Sequence, residues 1–315
     1  QADRLSDNAE VAASAKAWSD ALASKGWIAP HWPKEYGGAS LSPMEQFIYN
    51  MEMAESGAPR VGGSGVGMLG PTLIVHGTEE QKAQHLGGIL SGEVVWAQGY
   101  SEPGAGSDLA SLQTRAIRDG DEYVVNGQKI WTSGAHRADW IYMLARTDPD
   151  APKHRGISLL MFDLKTPGVS IRPLINMADG HAFNEVFFED VRVPVKNRLG
   201  EENRGWYVGM TLTDFERSGI GNAVGVQRIL RGLLKQAQTL PAEQTQSARK
   251  LSWRLAFADR WIEADIARLF SYLNMTLQLR NLIPNHEASM SKLYTTELNQ
   301  RIAATTLKLF GLYGQ

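Results

Sequence analysis

Cysteine is absent from this chain of 315 residues, which excludes disulfides, thiolate metal ligands and a cysteine nucleophile. It also lacks an excess of one charge, because 32 Lys and Arg stand against 34 Asp and Glu. That balance gives no electrostatic support for binding nucleic acid. No apolar run approaches the roughly 18 residues of a membrane-spanning helix, so no membrane insertion is predicted. Because a chain without cysteine fits a reducing compartment, a cytoplasmic location is predicted.

Histidine occurs seven times, but nowhere with the spacing of a metal site, so no metal ion is predicted. Ser107 does not lie in a G-x-S-x-G elbow, which argues against a serine hydrolase. Residues 65–70 do form a full G-x-G-x-x-G pattern. A nicotinamide site would need a preceding strand, whereas this segment follows helical sequence and runs into Pro71. Close helix packing, or the lining of a ligand pocket, is the favoured interpretation of these glycines.

The hydrophobic period changes twice along the chain. Residues 1–95 show helical spacing, residues 96–200 show short apolar strands bounded by Pro, Gly and Asp, and residues 201–315 return to long amphipathic helices. This order predicts an α+β multidomain protein with an N-terminal α-helical domain, a central antiparallel β-barrel or sandwich, and a C-terminal helical bundle. The abrupt start at Gln1 and stop at Gln315 predict missing residues at both ends, which would truncate the bundle.

Two polar segments carry the strongest functional signal. Residues 99–108 read GYSEPGAGSD, a glycine-rich turn that can bring backbone N–H groups and the Ser107 hydroxyl to an anion. Residues 126–134 read NGQKIWTSG, in which an Asn126-Gly127 turn is predicted to lead into a strand presenting Trp131 among small hydroxyl side chains. A wide aromatic ring beside hydrogen-bond donors suits a planar, partly polar ligand such as a flavin.

Together these segments resemble the flavin-binding segments of the acyl-CoA dehydrogenase flavoprotein family, and the similarity extends over essentially the whole chain. The resemblance is to the branch acting on pimeloyl-CoA or steroid side-chain acyl-CoA thioesters, and it implies FAD as cofactor. It also implies that Ser107 binds both cofactor and substrate. The implied cofactor-binding residues are Tyr100, Ser101, Ser107, Trp131, Thr132, Ser133, Gly311 and Gly314.

Glu216 is the candidate catalytic base. From the residues alone, a surface carboxylate paired with Arg217 or Arg204 is favoured, since charged helix residues are usually solvated. The resemblance reverses this preference, because one subgroup of the family places its catalytic glutamate on this helix in a similar Phe-Glu-Arg context. It implies that Glu216 removes the α-proton, that flavin N5 accepts the hydride, and that Arg217 lies at the substrate.

The resemblance further implies an acyl-CoA substrate, an electron-transfer flavoprotein as electron acceptor, and a homotetramer or a hetero-oligomer with a related subunit. Near the end of the chain, Lys308 and Leu312 replace a Gln and a Gly of the family's cofactor segment. The family's Arg-x-Thr-Phe-Gly segment is missing between Arg228 and Arg280. Two alternatives therefore stay open. One is a flavin oxidase or monooxygenase on the same fold, and the other is a catalytically silent partner subunit.

Overall fold

The computed structural model describes residues 9–59, 61–214, 219–239, 241 and 250–310. Contacts divide the chain into two compact units. The first unit comprises Gln1–Ser40 and Arg60–Phe215, and the second comprises Leu41–Pro59 and Glu216–Gln315. The domain boundaries after residues 95 and 200 remain a prediction.

The described residues of the first unit form four α-helices and one sheet. Its helices are α1 Ala9–Ala23, α3 Gly70–His76, α4 Glu79–Ser91 and α5 Gly205–Asp214. The start of α4 is set by a capping box, in which the Thr78 side chain accepts from the Gln81 N–H and the Gln81 side chain accepts from the Thr78 N–H. Gly92, in the left-handed conformation, ends this helix.

The sheet has eight strands in the order β6-β7-β3-β2-β4-β5-β8, with β1 pairing to β4. The strands are β1 Trp96–Gly99, β2 Arg115–Asp119, β3 Glu122–Lys129, β4 Trp140–Arg146, β5 Ile157–Asp163, β6 Val169–Ile175, β7 His181–Pro194 and β8 Arg198–Leu199. Among the described residues, β6 and β8 do not pair, so the sheet is sandwich-like and the barrel alternative is not realised. β1 and β2 run parallel to β4, and the other pairings are antiparallel, as predicted.

The predicted turn at Asn126-Gly127 is wrong. Both residues lie inside β3, and the β2–β3 hairpin turns at Gly120 and Asp121 instead. The Asn126 side chain bridges to β7, where it donates to Asp190 Oδ1 and accepts from the Asp190 N–H, both at 2.9 Å. A bulge at this point lets Gly127 approach a neighbouring segment so closely that a Cβ would lie 2.6 Å from the Thr114 hydroxyl.

The G-x-G-x-x-G segment is helical throughout. Residues Gly65–Leu69 form a π-helical turn that continues into α3, with no strand preceding it. A Cβ on Gly70 would lie 1.8 Å from the Trp32 ring, and Trp32 Nε1 donates to the Val66 carbonyl at 3.1 Å. Gly70 therefore allows close packing against Trp32, which is one of the two expected roles, whereas a Cβ on Gly67 would have no neighbour within 4 Å.

The second unit is a helical bundle. Its helices are α2 Pro43–Ser56, α6 Ile220–Thr239, α7 Leu251–Leu279 and α8 His286–Phe310. Although α2 is near the N-terminus, its buried Phe47 packs with Ile220, Val224 and Met275 of the C-terminal helices. No described helix has both the length and the apolar character required to cross a membrane.

Candidate active site

The first predicted cofactor segment follows β1 as a tight turn. Glu102 and Ala105 pair through two backbone hydrogen bonds of 3.0 Å, so the chain reverses within four residues. Ser107 is exposed beyond this turn. Gly104 and Gly106 border open space, because a Cβ on either would have no neighbour within 4 Å. The turn therefore leaves its backbone and the Ser107 hydroxyl accessible to a ligand.

The second predicted segment lies directly beside the first. The Ile130 N–H donates to the Ser101 carbonyl at 2.9 Å. A buried ion pair adds another link, since Lys129 Nζ lies 2.7 Å from Glu102 Oε1 and the two side chains are 0% and 6% exposed. Lys129 Nζ also donates to the Tyr100 carbonyl at 3.1 Å. Three contacts thus join the two motifs that the sequence singled out.

The carboxylate of Glu102 receives two further donors, the backbone N–H groups of Gln113 at 2.6 Å and Thr114 at 3.0 Å. Burial raises the pKa of Glu102, but Lys129 and these donors outweigh it and hold the pKa below its ordinary value. Burial lowers the pKa of Lys129 to about 8, against the opposing effect of Glu102. The pair is therefore ionised at neutral pH.

Trp131 is held in a strained conformation at the surface. Its φ is +60°, a left-handed value that a bulky side chain rarely adopts, and its side chain is 58% exposed. The indole and the Phe183 ring form a T-shaped pair, with ring centroids 6.0 Å apart. Next to it, Thr132 and Asn184 exchange backbone hydrogen bonds of 3.0 and 3.1 Å. The fold therefore presents a flat aromatic surface to solvent at the predicted position.

Two buried polar atoms at these segments have no hydrogen-bond partner in the described part of the chain, Thr132 Oγ1 and the Tyr100 hydroxyl. Burial raises the pKa of Tyr100 well above its ordinary value, so this phenol stays protonated. Unpartnered buried polar groups are rare and require an explanation such as a ligand. With the exposed hydroxyls of Ser107 and Ser133 and the indole of Trp131, this set of groups fits a flavin dinucleotide.

Four predicted site residues lie outside the described residues. They are the proposed base Glu216, its neighbour Arg217, and the two glycines Gly311 and Gly314. Their roles remain predictions. None of the described residues forms a cluster of three or more His, Asp or Glu able to hold a metal ion.

Sequence analysis missed the residues that support the site. Glu102 and Lys129 lie inside the two recognised motifs, and a lysine in an otherwise half-buried strand is a signal for a buried ion pair. Asn184 begins a run of strand residues that reads as ordinary packing. Its pairing with Thr132 depends on sheet register, which no local pattern reveals.

Comparison with known proteins identifies the family. Models of the acyl-CoA dehydrogenase N-terminal, middle and C-terminal domains match residues 1–93, 97–191 and 203–315. The acyl-CoA dehydrogenase FadE29 of Mycobacterium tuberculosis (strain ATCC 25618 / H37Rv) is 39% identical over 295 residues, which cover 90% of this chain and 72% of that protein. The chain belongs to the acyl-CoA dehydrogenase family. Members of this family are FAD-binding oxidoreductases acting on CH–CH groups, which confirms the predicted cofactor and reaction class.

Solved structures of this family agree with the fold. The structure of the Tcur3481-Tcur3483 steroid ACAD superposes with a TM-score of 0.84 at 37% identity, covering 95% of this chain and 76% of that one. The ChsE4-ChsE5 complex from Mycobacterium tuberculosis gives a TM-score of 0.83 at 36% identity, covering 99% of this chain and 81% of that one. The three-part order of helices, sheet and helices is confirmed.

Proposed function

We propose that this chain converts an acyl-CoA thioester to the trans-2-enoyl-CoA and that Glu216 is the base. The observation that carries the proposal is the contact between the two motifs, which the Lys129–Glu102 ion pair and the bond from Ile130 to Ser101 hold side by side. FAD, when bound, supplies the acceptor for the hydride that leaves the β-carbon. The Glu216 carboxylate would take the pro-R α-hydrogen as a proton, and the electron pair of the α-C–H bond would form the new C=C bond. The β-hydrogen would leave with both electrons of its own bond, as hydride.

The residues that the structure describes bind the cofactor and the substrate and orient them. Ser107 and the N–H groups of its turn hold the cofactor phosphates and the substrate, because a glycine-rich turn offers donors to anions at close range. The exposed indole of Trp131 would pack against the flavin and shield it from water. The hydroxyls of Thr132 and Ser133 would provide hydrogen bonds at the ring edge, and the buried Thr132 hydroxyl has no partner among the described residues.

The proposed substrate is a steroid side-chain or dicarboxylyl CoA thioester. Supporting this class, a protein of known structure that shares 37% identity with the chain is named a steroid ACAD. Degradation of such side chains by β-oxidation is the corresponding metabolic role.

Partners and location follow as part of the same proposal. The reduced cofactor would pass its electrons to an electron-transfer flavoprotein. The assembly would be a homotetramer or a hetero-oligomer with a related subunit, and the two solved relatives above are each named as a pair of proteins. A cytoplasmic location rests on the absence of cysteine and is checked by cell fractionation.

An anaerobic titration with a panel of acyl-CoA thioesters tests the function. We expect bleaching of the flavin absorption by one thioester class. Glu216→Gln should keep the flavin spectrum and lose about 10²- to 10⁴-fold in bleaching rate, which is the usual contribution of a general base. Glu189→Gln, at an exposed carboxylate of β7, is the matched control and should bleach like the wild type.

Four results would contradict parts of this proposal. A Glu216→Gln variant with full activity would exclude Glu216 as the base. Bound flavin that no thioester bleaches would argue against dehydrogenation by this chain alone. A protein that binds no FAD would favour the silent-subunit alternative, while rapid reoxidation by oxygen rather than by electron-transfer flavoprotein would favour the oxidase.

A further inference from the structure

Asn184 joins strand β7 to the segment carrying Trp131 through its side chain as well as its backbone. The side chain is fully buried at 0% exposure. Its Nδ2 donates to the Thr132 carbonyl at 3.0 Å, in addition to the two backbone hydrogen bonds between these residues. The Thr132 carbonyl thus accepts from both the backbone and the side chain of Asn184. Such double attachment fixes the peptide that follows the strained residue Trp131.

Two histidines hold this amide in one orientation. Asn184 Nδ2 lies 3.1 Å from His136 Nδ1, and Asn184 Oδ1 lies 2.8 Å from His181 Nε2. The histidine rings stack with centroids 3.8 Å apart and 18° between their planes. Because an amide has distinct donor and acceptor ends, His136 must accept at Nδ1 while His181 donates from Nε2. Both histidines are exposed, whereas Asn184 is buried.

A neutral His136 is consistent with this arrangement. Burial is the main cause that lowers its pKa, followed by the charges of His181 and Arg137. A proton on Nδ1 would turn the acceptor into a donor facing the Asn184 amide nitrogen, so it would break the contact.

We infer that Asn184 is a positioning residue, locked by the stacked pair His136 and His181, that sets the Trp131–Ser133 backbone for hydride transfer to the bound cofactor. This inference rests on the proposed function, which assigns those residues to the flavin. A strained left-handed residue persists only where its surroundings determine it, and Asn184 provides that determination through Thr132. Trp131 and Ser133 would otherwise be free to leave the flavin-binding geometry.

The test compares Asn184→Asp with the wild type in anaerobic bleaching at saturating thioester. The carboxylate keeps the size of the side chain but cannot donate to the Thr132 carbonyl. We expect about a tenfold lower bleaching rate and about a tenfold weaker retention of FAD, as for one lost buried hydrogen bond. The half-saturating thioester concentration should stay within about twofold, since no substrate contact changes.

A second pair of variants tests whether the His136 contact holds the Asn184 amide in its orientation. His136→Asn keeps an acceptor near the position of Nδ1, whereas His136→Leu removes it. We expect His136→Asn to keep the wild-type bleaching rate and His136→Leu to have a lower one. If Asn184→Asp fails to fold, this pair of variants tests the positioning role of Asn184. Asn126→Ala is the matched control, because it removes two hydrogen bonds between the strands β3 and β7 at a bulge away from Trp131.

Wild-type bleaching rates in Asn184→Asp would overturn the inference, as would equal losses in His136→Asn and His136→Leu. Equal losses in Asn126→Ala would also overturn it, since they would show a general effect of sheet stability. If no thioester bleaches the wild type, the proposed function fails first. In that case FAD retention in the same variants still tests the inference. Weaker retention in Asn184→Asp supports positioning by Asn184, and unchanged retention contradicts it.

Discussion

The buried ion pair of Lys129 and Glu102 joins the two predicted cofactor segments. Loss of either charge there would destabilise the fold. Each charge has its partner at 2.7 Å, and neither side chain is more than 6% exposed. Removing one member of such a pair leaves the other charge buried without compensation, which is far more destabilising than loss of a surface pair. The pair therefore couples the stability of the sheet to the geometry of the proposed flavin site.

Glu102→Gln is expected to lower the free energy of unfolding by about 3–5 kcal/mol at pH 7. Since the pKa of Glu102 is lowered by folding, its contribution is fully present above the ordinary value of 4.5. That contribution disappears as the pH falls through the lower folded pKa. The difference between wild type and variant should consequently shrink in urea unfolding measured at about pH 4 rather than pH 7.

Asp108→Asn is the control for this measurement. It removes the ion pair between Asp108 and Lys153, whose side chains are 62% and 59% exposed, so the urea midpoint should stay close to that of the wild type because solvent screens exposed pairs. A Glu102→Gln variant as stable as Asp108→Asn at pH 7 would refute the role of the buried pair.

At the scale of elements, the glycines of the π-helical turn and α3 differ sharply in what surrounds them. Gly70 faces the Trp32 ring at a distance that excludes a Cβ, while a Cβ on Gly67 would have no neighbour within 4 Å. Two glycines of the same six-residue motif therefore have different structural roles. Only the packing against Trp32 distinguishes them.

Gly70→Ala should destabilise the protein by about 1–3 kcal/mol, because the added methyl group displaces Trp32 from a filled core. Gly67→Ala is the matched control in the same turn and should be neutral or stabilising by up to about 1 kcal/mol, as alanine favours helical backbone. Thermal unfolding of both variants checks this. A Gly70→Ala protein as stable as Gly67→Ala would contradict the packing interpretation.

At the scale of the whole molecule, α7 has two apolar faces. Trp253, Ala264 and Ser271 are buried, and each follows an exposed leucine or isoleucine by two positions, about 200° around the helix. The exposed apolar residues on that opposite side are Leu251, Leu255, Ile262, Ile266, Leu269 and Leu273. We expect another subunit of this family to cover this stripe, which agrees with the predicted oligomer.

Leu269→Glu should shift the protein toward monomer, since the charge would be buried in the subunit contact. Size-exclusion chromatography with light scattering measures the mass, and we expect at least a tenfold rise in the concentration needed for assembly, roughly the effect of 1.4 kcal/mol. Arg254→Glu, exposed on the same helix beside the stripe, is the control and should keep the wild-type mass. An unchanged mass in Leu269→Glu would exclude this stripe from the contact.

The sequence by itself determined the order of helices, sheet and helices, and it singled out the two segments proposed to hold the cofactor. Both are local properties, because the hydrophobic period and the turn-forming residues depend only on residues that are close in sequence. The flavin family was recognisable for the same reason, since Trp131 and Ser107 lie in short contiguous motifs. The prediction of a turn at Asn126-Gly127 was wrong because the contacts of Asn126 with β7 override the local turn preference.

Only the tertiary structure decided which distant residues support those motifs. Lys129 meets Glu102 across 27 positions, and Asn184 meets Thr132 across 52. The parallel pairing of β1 with β4 and the packing of α2 on the C-terminal helices are equally non-local. Such contacts depend on strand register and on which apolar faces find each other, and these are settled by the free energy of the whole fold rather than by any short segment.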